Sequence, residues 1–182
     1  LSSYRDAAAA LSASRKQLAR RFEELLIEQL RELGMENIHF QVMFDVTDAK
    51  MVPTQYGNDR VEFYLSPNLG EPLKPLSVTA SGGELSRIML ALKTIEADKN
   101  KIPCMIFDEV DSGISGKAAQ VVAEKIAIIS RYRQVLAVSH LAQIACMADV
   151  HYFVEKDVVG DRTLTKIYGL SGAGREAEIA RL

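Results

Sequence analysis

The chain has 182 residues, of which 48% are hydrophobic and 25% are charged, a composition typical of a globular protein rather than a fibrous or disordered one. The formal net charge is -2 at pH 7, so the chain is not one of the strongly basic nucleic-acid-binding domains. This net charge is still compatible with a local basic patch on the surface. No apolar run approaches the roughly 20 residues needed to cross a bilayer, and the first residues carry no signal-peptide pattern, so we expect a soluble cytoplasmic protein with no membrane partner.

The first 33 residues predict one long amphipathic helix with heptad character. Neither Pro nor Gly interrupts residues 1–33, and Gly34 then supplies a residue suited to ending a helix. Large apolar residues recur at every seventh position, at Tyr4, Leu11, Leu18 and Leu25. We expect residues 22–33 to pack on their own domain. The first half begins without Met and is poor in large apolar residues, so we expect it to be a coiled-coil stub whose partner helix is missing from the chain.

This organisation predicts two domains, a coiled-coil stub with its leading helix at 1–33 and a body at 34–182. The first helix also carries a basic group: Arg15, Lys16, Arg20 and Arg21. Such side chains can contact DNA phosphates, but a basic patch on a helix is more often a solvated face.

Two alternating segments predict an antiparallel pair of strands after this helix. In residues 38–46 and 61–65 apolar residues alternate with mostly polar ones, which is the period-two pattern of a strand with one buried face. His39 then faces outward with no metal partner. Residues 48–59 predict a loop with a turn, and residues 66–75, rich in Pro, predict an irregular connection.

Two adjacent carboxylates follow an apolar run later in the chain. Residues Cys104–Phe107 predict a strand of a parallel sheet buried on both faces, because neither face carries a polar residue. Asp108 and Glu109 then fall at its carboxyl end, where ligands bind in open α/β sheets. An Asp in this position often holds Mg²⁺ in nucleotide phosphatases, and the adjacent Glu is suited to take a proton from an attacking water. Read alone, the pair also fits a solvated turn.

A histidine follows the next strand in the same way. Residues 134–138 predict a second buried strand that ends just before His140, after a helix at 116–130. Because the carboxyl ends of parallel strands lie at one edge of a sheet, His140 is expected to face the crevice of the two carboxylates. A helix-capping histidine with no chemical role is the alternative. The dipeptide Gly116-Lys117 does not complete a P-loop, since Ala follows it and the glycine spacing is wrong.

A Gly-rich helix start lies upstream of the carboxylates. The sequence Ser81-Gly82-Gly83-Glu84 opens a helix expected to run to about Asp98. Two glycines allow close approach of the backbone to a ligand, and a helix start offers free N–H groups and a positive dipole end, which suits a phosphate. Taken alone the motif is weak, because Ser is a common N-cap and Gly-Gly a common turn.

The two cysteines and the end of the chain predict structure rather than chemistry. Cys104 and Cys146, the latter in an expected helix at 141–147, show no metal-ligand spacing, so we expect buried small hydrophobes in a reducing cytoplasm. The remaining expected elements are strands at 150–155 and 163–168, a turn at Gly160-Asp161 between them, and a helical tail within 171–182.

Taken in order, these motifs resemble the C-terminal half of an ABC-type ATPase head. Ser81–Glu84 look like the signature motif, and Cys104–Asp108 look like Walker B. Glu109 looks like the catalytic Glu, Asp111 like the D-loop and His140 like the switch histidine. The set in this order is highly specific.

Within that class, the stretches 80–93, 107–116 and 138–145 are very similar to the RecN family of bacterial SMC-like DNA-repair ATPases. Ala80 stands where transporters and SMC proteins usually have Leu, which favours the RecN family. The resemblance implies an α/β fold. It would be the C-terminal lobe of an ABC/SMC-type P-loop ATPase head, with a mainly parallel sheet flanked by helices and an N-terminal coiled-coil stub.

The resemblance also implies a division of roles around ATP and Mg²⁺. Asp108 would help to hold Mg²⁺, Glu109 would activate the attacking water, and His140 would contact the γ-phosphate. The signature residues would reach the γ-phosphate of the nucleotide on an opposite head: Ser81, Gly82, Gly83 and Glu84. Asp111 would sense closure between the two sites.

No Walker A sequence is present, so the chain by itself is expected to be inactive. The implied partners are the N-terminal half-head of the same polypeptide, a second head in an ATP-bridged homodimer, and DNA through the full-length protein. The implied setting is double-strand break repair and recombination at the nucleoid. Three alternatives stay open: a chromosome-organising SMC head, the nucleotide-binding subunit of an ABC transporter, and a non-enzymatic module that binds a partner through its first helix.

Overall fold

The computed structural model describes residues 2–46, 54–79, 81–99, 102–159 and 162–182. Internal contacts divide the chain into two compact units, Leu1–Glu96 and Ala97–Leu182. Ala80, the Gly160-Asp161 turn and part of the loop expected at 48–59 lie outside the described residues. Within the described ranges, no helix has both the length and the apolar character that crossing a membrane requires.

The first unit begins with helix α1, Ser2–Glu32, whose end is fixed by Gly34 as the sequence predicts. Gly34 has φ 83°, and its N–H donates to the Arg31 carbonyl at 3.1 Å. The Met35 N–H donates to the Leu30 carbonyl at 3.0 Å. This pair of bonds is a Schellman motif, which satisfies carbonyls that the last turn of a helix leaves without partners.

The two halves of α1 differ in burial. Leu26, Leu30 and Leu33 have no exposed surface, which is the packing expected for residues 22–33. Three leucines of the heptad pattern stay exposed: Leu11 at 39%, Leu18 at 66% and Leu25 at 40%. The heptad stripe and the buried stripe are therefore different faces of one helix.

Polar contacts join the first half of α1 to the residues at the start of the second strand, Asn58 and Asp59. Tyr4 Oη donates to Asn58 Oδ1 at 2.6 Å, and Ser12 Oγ donates to Asp59 Oδ1 at 2.6 Å. Arg15 Nη1 donates to Asp59 Oδ2 at 3.1 Å. We name these five residues the helix–loop contact. This half of α1 was expected to pack on an absent partner helix, and its attachment within the chain was not predicted.

A small antiparallel sheet follows α1. Strand β1, His39–Val46, pairs with β2, Asp59–Ser66, and β2 pairs with the two-residue strand β3, Lys74–Pro75. Phe40 and Val42 are buried while His39 is exposed, so the predicted alternation is confirmed for β1. In β2 Leu65 is buried but Val61 is 43% exposed, so the buried face expected for residues 61–65 is formed only in part. Strand β3 lies inside the segment that was expected to be irregular.

Two helices complete the first unit. Helix α2 is a single turn, Leu76–Thr79, and α3 spans Gly82–Ile95, a little shorter than expected. Ile88, Leu90 and Ala91 on α3 have no exposed surface. The helix therefore starts at the Ser-Gly-Gly-Glu motif and buries the apolar face that its periodicity predicts.

The second unit is built around one parallel pair of strands. Strand β4, Cys104–Phe107, leads into helix α4, Gly116–Ser130, and then into β5, Gln134–Ala137, which pairs in parallel with β4. The strand–helix–strand order is the usual crossover between parallel neighbours. The expected parallel sheet is thus present as the β4–β5 pair, and the other described pairs are antiparallel.

Four elements form the rest of the second unit. They are the one-turn helix α5, Ala142–Ala145, the strands β6, His151–Val159, and β7, Arg162–Leu170, and the helix α6, Gly172–Arg181. Strands β6 and β7 pair in antiparallel register. The expected hairpin and helical tail are both confirmed, and the expected helix at 141–147 is shorter.

Burial in the second unit corrects three expectations. Met105 and Phe107 of β4 are buried, but Ile106 is 71% exposed and Leu136 of β5 is 46% exposed. The expectation that these strands are buried on both faces is therefore wrong for this chain. Cys104 and Cys146 are also exposed rather than buried, because Cys104 lies on the open face of β4 and Cys146 follows the single turn of α5.

Candidate functional site

The carboxyl ends of β4 and β5 meet at one edge of the parallel pair. Phe107 lies opposite Ala137 in the register, and the Val138 N–H donates to the Phe107 carbonyl at 2.9 Å. Asp108 directly follows β4, and His140 lies three residues beyond β5. The structure therefore brings the residues after both strands to the same edge, as parallel pairing requires.

Asp111 is the centre of a hydrogen-bond cluster at this edge. Its Oδ2 accepts from Ser139 Oγ at 2.6 Å and from the His140 N–H at 2.9 Å, and His140 Nδ1 lies 3.1 Å from the same oxygen. The Asp111 side chain is only 4% exposed, whereas the His140 side chain is 72% exposed. A buried carboxylate thus holds the base of an exposed imidazole.

The Asp111–His140 geometry sets the direction of the ring. His140 Nδ1 faces the Asp111 carboxylate, 3.1 Å from Oδ2. Nε2 is then the nitrogen left for a ligand. Both residues were expected in a nucleotide site, but the contact between them was not predicted. Their pairing follows from two signals together: a carboxylate just past one strand, and Ser-His just past the neighbouring parallel strand.

Glu109 occupies a strained backbone position beside this cluster. Its φ is 56°, and among the described residues it is the one non-glycine residue with positive φ. Its N–H donates to Asp108 Oδ1 at 2.9 Å, and its carbonyl accepts from the Ser112 N–H at 3.0 Å. A left-handed conformation costs a non-glycine residue on the order of 1–3 kcal/mol, and such strain clusters at functional sites.

The carboxylates after β4 fit Mg²⁺ only if water and nucleotide phosphates supply the remaining ligands of the ion. Among the described residues no group of three or more His, Cys, Asp or Glu side chains is arranged to hold a metal ion. Asp108 is exposed at the strand end. A single carboxylate suits Mg²⁺, because that ion commonly takes one or two carboxylates and completes its octahedron with water and nucleotide phosphates.

The Ser-Gly-Gly-Glu motif forms a complete capping box at the start of α3. Glu84 Oε2 accepts from the Ser81 N–H and from Ser81 Oγ, both at 2.9 Å, and Ser81 Oγ accepts from the Glu84 N–H at 3.4 Å. Glu84 therefore holds the cap of this helix. The amides of Gly82 and Gly83 are among the first N–H groups of the helix, which have no partner in the turn before them.

Arg87, one turn further along α3, was not singled out by the sequence analysis. The residue is 9% exposed, and it lines a cavity of about 250 Å³ together with Glu84, Asn37 and Asn68. Burial lowers the pKa of Arg87, and the nearby charge of Glu84 partly opposes that shift. No sequence signal separates such a residue from an ordinary exposed arginine on a helix.

Comparisons with known proteins bear directly on this constellation. No protein-family model matches the chain. The DNA repair protein RecN of Halalkalibacterium halodurans is 51% identical over 175 residues, which are 96% of this chain and 31% of that protein. The chain matches the C-terminal part of RecN. The RecN proteins of Haemophilus influenzae and Bacillus subtilis are 46% and 42% identical, each over 96% of this chain.

The chain spans about a third of the length of the RecN relatives it matches. Solved structures agree on the fold. An Smc head domain with a coiled coil and joint from Pyrococcus yayanosii matches with a TM-score of 0.59 at 15% identity, over 92% of this chain and 30% of that chain. An Smc head domain from Pyrococcus furiosus, bound to the C-terminal domain of ScpA, gives 0.53 at 18% identity, over 94% and 39%. The fold is that of an SMC-type head, and the higher identity to RecN favours RecN over the SMC and transporter alternatives.

Proposed function

We propose that this chain is the C-terminal part of the ATPase head of a RecN-type DNA repair protein, acting in double-strand break repair and recombination. The observation that carries the proposal is the edge where β4 and β5 end. There Asp111 binds Ser139 and His140 while Asp108 and Glu109 follow the adjacent strand. The order of these residues matches the ATPase motifs, and the relatives supply the DNA repair context.

Each residue at the edge has a distinct role in ATP hydrolysis. Asp108 would help to hold Mg²⁺, and a bound Mg²⁺ would supply charge neutralisation for phosphoryl transfer. Glu109 accepts a proton from the water that attacks the γ-phosphate. His140 presents Nε2 to that phosphate because Asp111 occupies its Nδ1 side.

Asp111 acts within its own head in this proposal. The sequence resemblance implied that Asp111 senses closure between two sites. Its carboxylate is instead almost fully buried and accepts from Ser139 and His140 of the same chain. We therefore assign it to orienting His140, and any signal of closure reaches it through that histidine.

The signature motif serves a second head. The helix start at Ser81 offers the amides of Gly82 and Gly83 to a phosphate, and the Ser81 hydroxyl joins them when it exchanges its bond to Glu84 for one to the phosphate. Glu84 stabilises the first turn of α3 through the capping box. The γ-phosphate it meets belongs to the nucleotide of an opposite head, so ATP would bridge a homodimer of heads.

The nucleotide site is completed by residues outside this chain. No Walker A motif is present in the sequence. A parallel pair of strands is ordinarily covered on both faces, yet Ile106 and Leu136 are exposed. The N-terminal half-head of the same polypeptide would supply both the P-loop and the covering surface.

Contact with DNA is assigned to the full-length protein. Of the basic residues on α1, Arg15 binds Asp59, and Lys16 Nζ lies 5.9 Å from the centroid of the Phe44 ring. Arg20 and Arg21 are exposed, so they are the residues of this basic group that we propose contact the phosphates of DNA.

Replacing Glu109 tests the proposal. In the full-length protein, Glu109→Gln should keep ATP binding but lower kcat roughly 10²- to 10⁴-fold, because the general base is lost while the side-chain shape is kept. Glu124→Gln is the matched control, since Glu124 is an exposed glutamate on α4 whose Oε1 accepts from Gln120 Nε2 in the same helix. Turnover of Glu109→Gln equal to that of the Glu124 control would exclude Glu109 as the base.

A further inference from the structure

We propose that Arg175 is a positioning residue for His140. It fixes the far end of the helical turn that begins directly after that histidine. The inference rests on the proposed function, in which His140 contacts the γ-phosphate, and it adds a residue from the last helix to that site. Neither the motifs nor the resemblance assigned a role to Arg175.

The contacts of Arg175 converge on the end of α5. Its Nη2 donates to the carbonyls of Ala145 at 3.3 Å and Cys146 at 3.2 Å, and also to the carbonyl of Ala148. The last carbonyls of a helix lack partners in the helix and form its negative end. A guanidinium placed there satisfies the carbonyls and the dipole together.

The near end of α5 is held through Asp111. The Leu141 N–H donates to Ser139 Oγ at 3.0 Å, and Ser139 Oγ in turn donates to Asp111. The Leu141 carbonyl accepts from the Ile144 and Ala145 N–H groups, both at 3.1 Å. His140 therefore lies in a short segment with one anchor at each end, Asp111 before the turn and Arg175 after it.

Helix α5 needs such an anchor because it is only four residues long. A single turn fixes several backbone dihedrals for very few hydrogen bonds, so it is not stable by itself. If its far end is released, the backbone of residues 140–148 is free to shift, and the imidazole held at 140 shifts with it. Misplacement of a catalytic contact by about 1 Å can cost roughly 100-fold in rate.

A role for Arg175 in folding alone can be distinguished from a role in positioning His140 by comparing it with another arginine of α6. Helix α6 has no buried residue, so Arg175 is not required to complete a core. Arg181 on the same helix pairs with Glu178 and has no hydrogen bond to α5. Arg181→Ala therefore removes the same charge from the same helix without touching α5, and serves as the matched control.

The test is a double-mutant cycle in the full-length protein. We expect Arg175→Ala to lower kcat roughly tenfold with KM for ATP changed less than about twofold, Arg175→Lys to recover part of the loss, and Arg181→Ala to behave as wild type. In a His140→Ala background, Arg175→Ala should have no further effect, because residues that act through one another are not additive. Equal turnover of Arg175→Ala and Arg181→Ala, or full additivity with His140→Ala, would overturn the proposal.

Hydrogen exchange of residues 139–148 separates this inference from the proposed function, since it needs no nucleotide. Arg175→Ala should speed exchange in that segment relative to Arg181→Ala, and unchanged exchange would overturn the inference. If the full-length wild type did not hydrolyse ATP, or His140→Ala kept full turnover, the proposed function would fail. Faster exchange in Arg175→Ala would then still show that Arg175 anchors α5.

Discussion

At the level of single residues, the site depends on a buried carboxylate that holds an exposed histidine. Asp111 is 4% exposed at its side chain and binds two consecutive residues after β5. Neighbouring Glu109 has φ 56° in the same turn. Both features constrain backbone and side-chain direction before any ligand is bound, which is how a site is preorganised for charge that develops during reaction.

Removing the Asp111 carboxylate should therefore affect both folding and chemistry. Asp111→Ala leaves the hydroxyl of Ser139 and the N–H of His140 without their acceptor, so we expect a loss of about 1–3 kcal/mol in the free energy of unfolding. Turnover of the full-length protein should fall as well. The measurements are urea unfolding and ATP hydrolysis, with the exposed Asp98→Ala as control. A variant as stable and active as Asp98→Ala would refute the orienting role.

At the level of secondary-structure elements, α1 is held by apolar packing at its C-terminal end and by hydrogen bonds and an ion pair near its N-terminal end. Its last turns bury Leu26, Leu30 and Leu33, whereas its first turns are held by polar bonds of the helix–loop contact. The polar bonds hold the first turns of the helix beside residues 58–59, and they leave Leu18 66% exposed. A partner helix can therefore pack on Leu18 while the contact stays formed.

The helix–loop contact makes stability depend on pH. Burial raises the pKa of Asp59, but hydrogen bonds donated by Ser12 and Arg15 outweigh burial, so the pKa lies below its ordinary value. A carboxyl whose pKa is lower in the folded state adds stability above its unfolded pKa of about 4, and this stability is lost as pH falls through the folded pKa.

Asp59→Asn should therefore cost about 1 kcal/mol in the free energy of unfolding at pH 7, and the difference from wild type should narrow as pH falls below about 4. Urea titrations at pH 7 and pH 3 measure this. Asp6→Asn, an exposed carboxyl on the same helix, should show neither effect. A difference at pH 3 as large as at pH 7 would contradict the assigned cause.

Sequence periodicity predicted most elements because it reports local preferences. Gly34 ended α1 and the apolar run 104–107 bounded β4, since one glycine and one hydrophobic stretch decide those boundaries. Burial of Ile106 was predicted wrongly, because burial depends on which elements cover a strand and not on the strand itself. The Asp111–His140 pair and the Arg175 contact were missed because each joins residues about 30 positions apart, and no local pattern encodes such a pair.

At the level of the whole molecule, the proposed function assigns the base and the signature motif of an ATPase to a chain whose sequence has no Walker A motif. Two observations agree on this point: the sequence has no Walker A motif, and the parallel pair of strands leaves an apolar face exposed at Ile106 and Leu136. The RecN relatives are about three times as long as this chain.

Complementation tests this central claim most directly. The chain and a separately expressed P-loop half of the same protein would be assayed for ATP turnover alone and mixed, with a Glu109→Gln chain as the control. The account predicts no turnover from either part alone, turnover on mixing, and none with Glu109→Gln. Turnover by the chain alone that is sensitive to Glu109→Gln, or no turnover from the mixture under conditions where the intact protein is active, would contradict it.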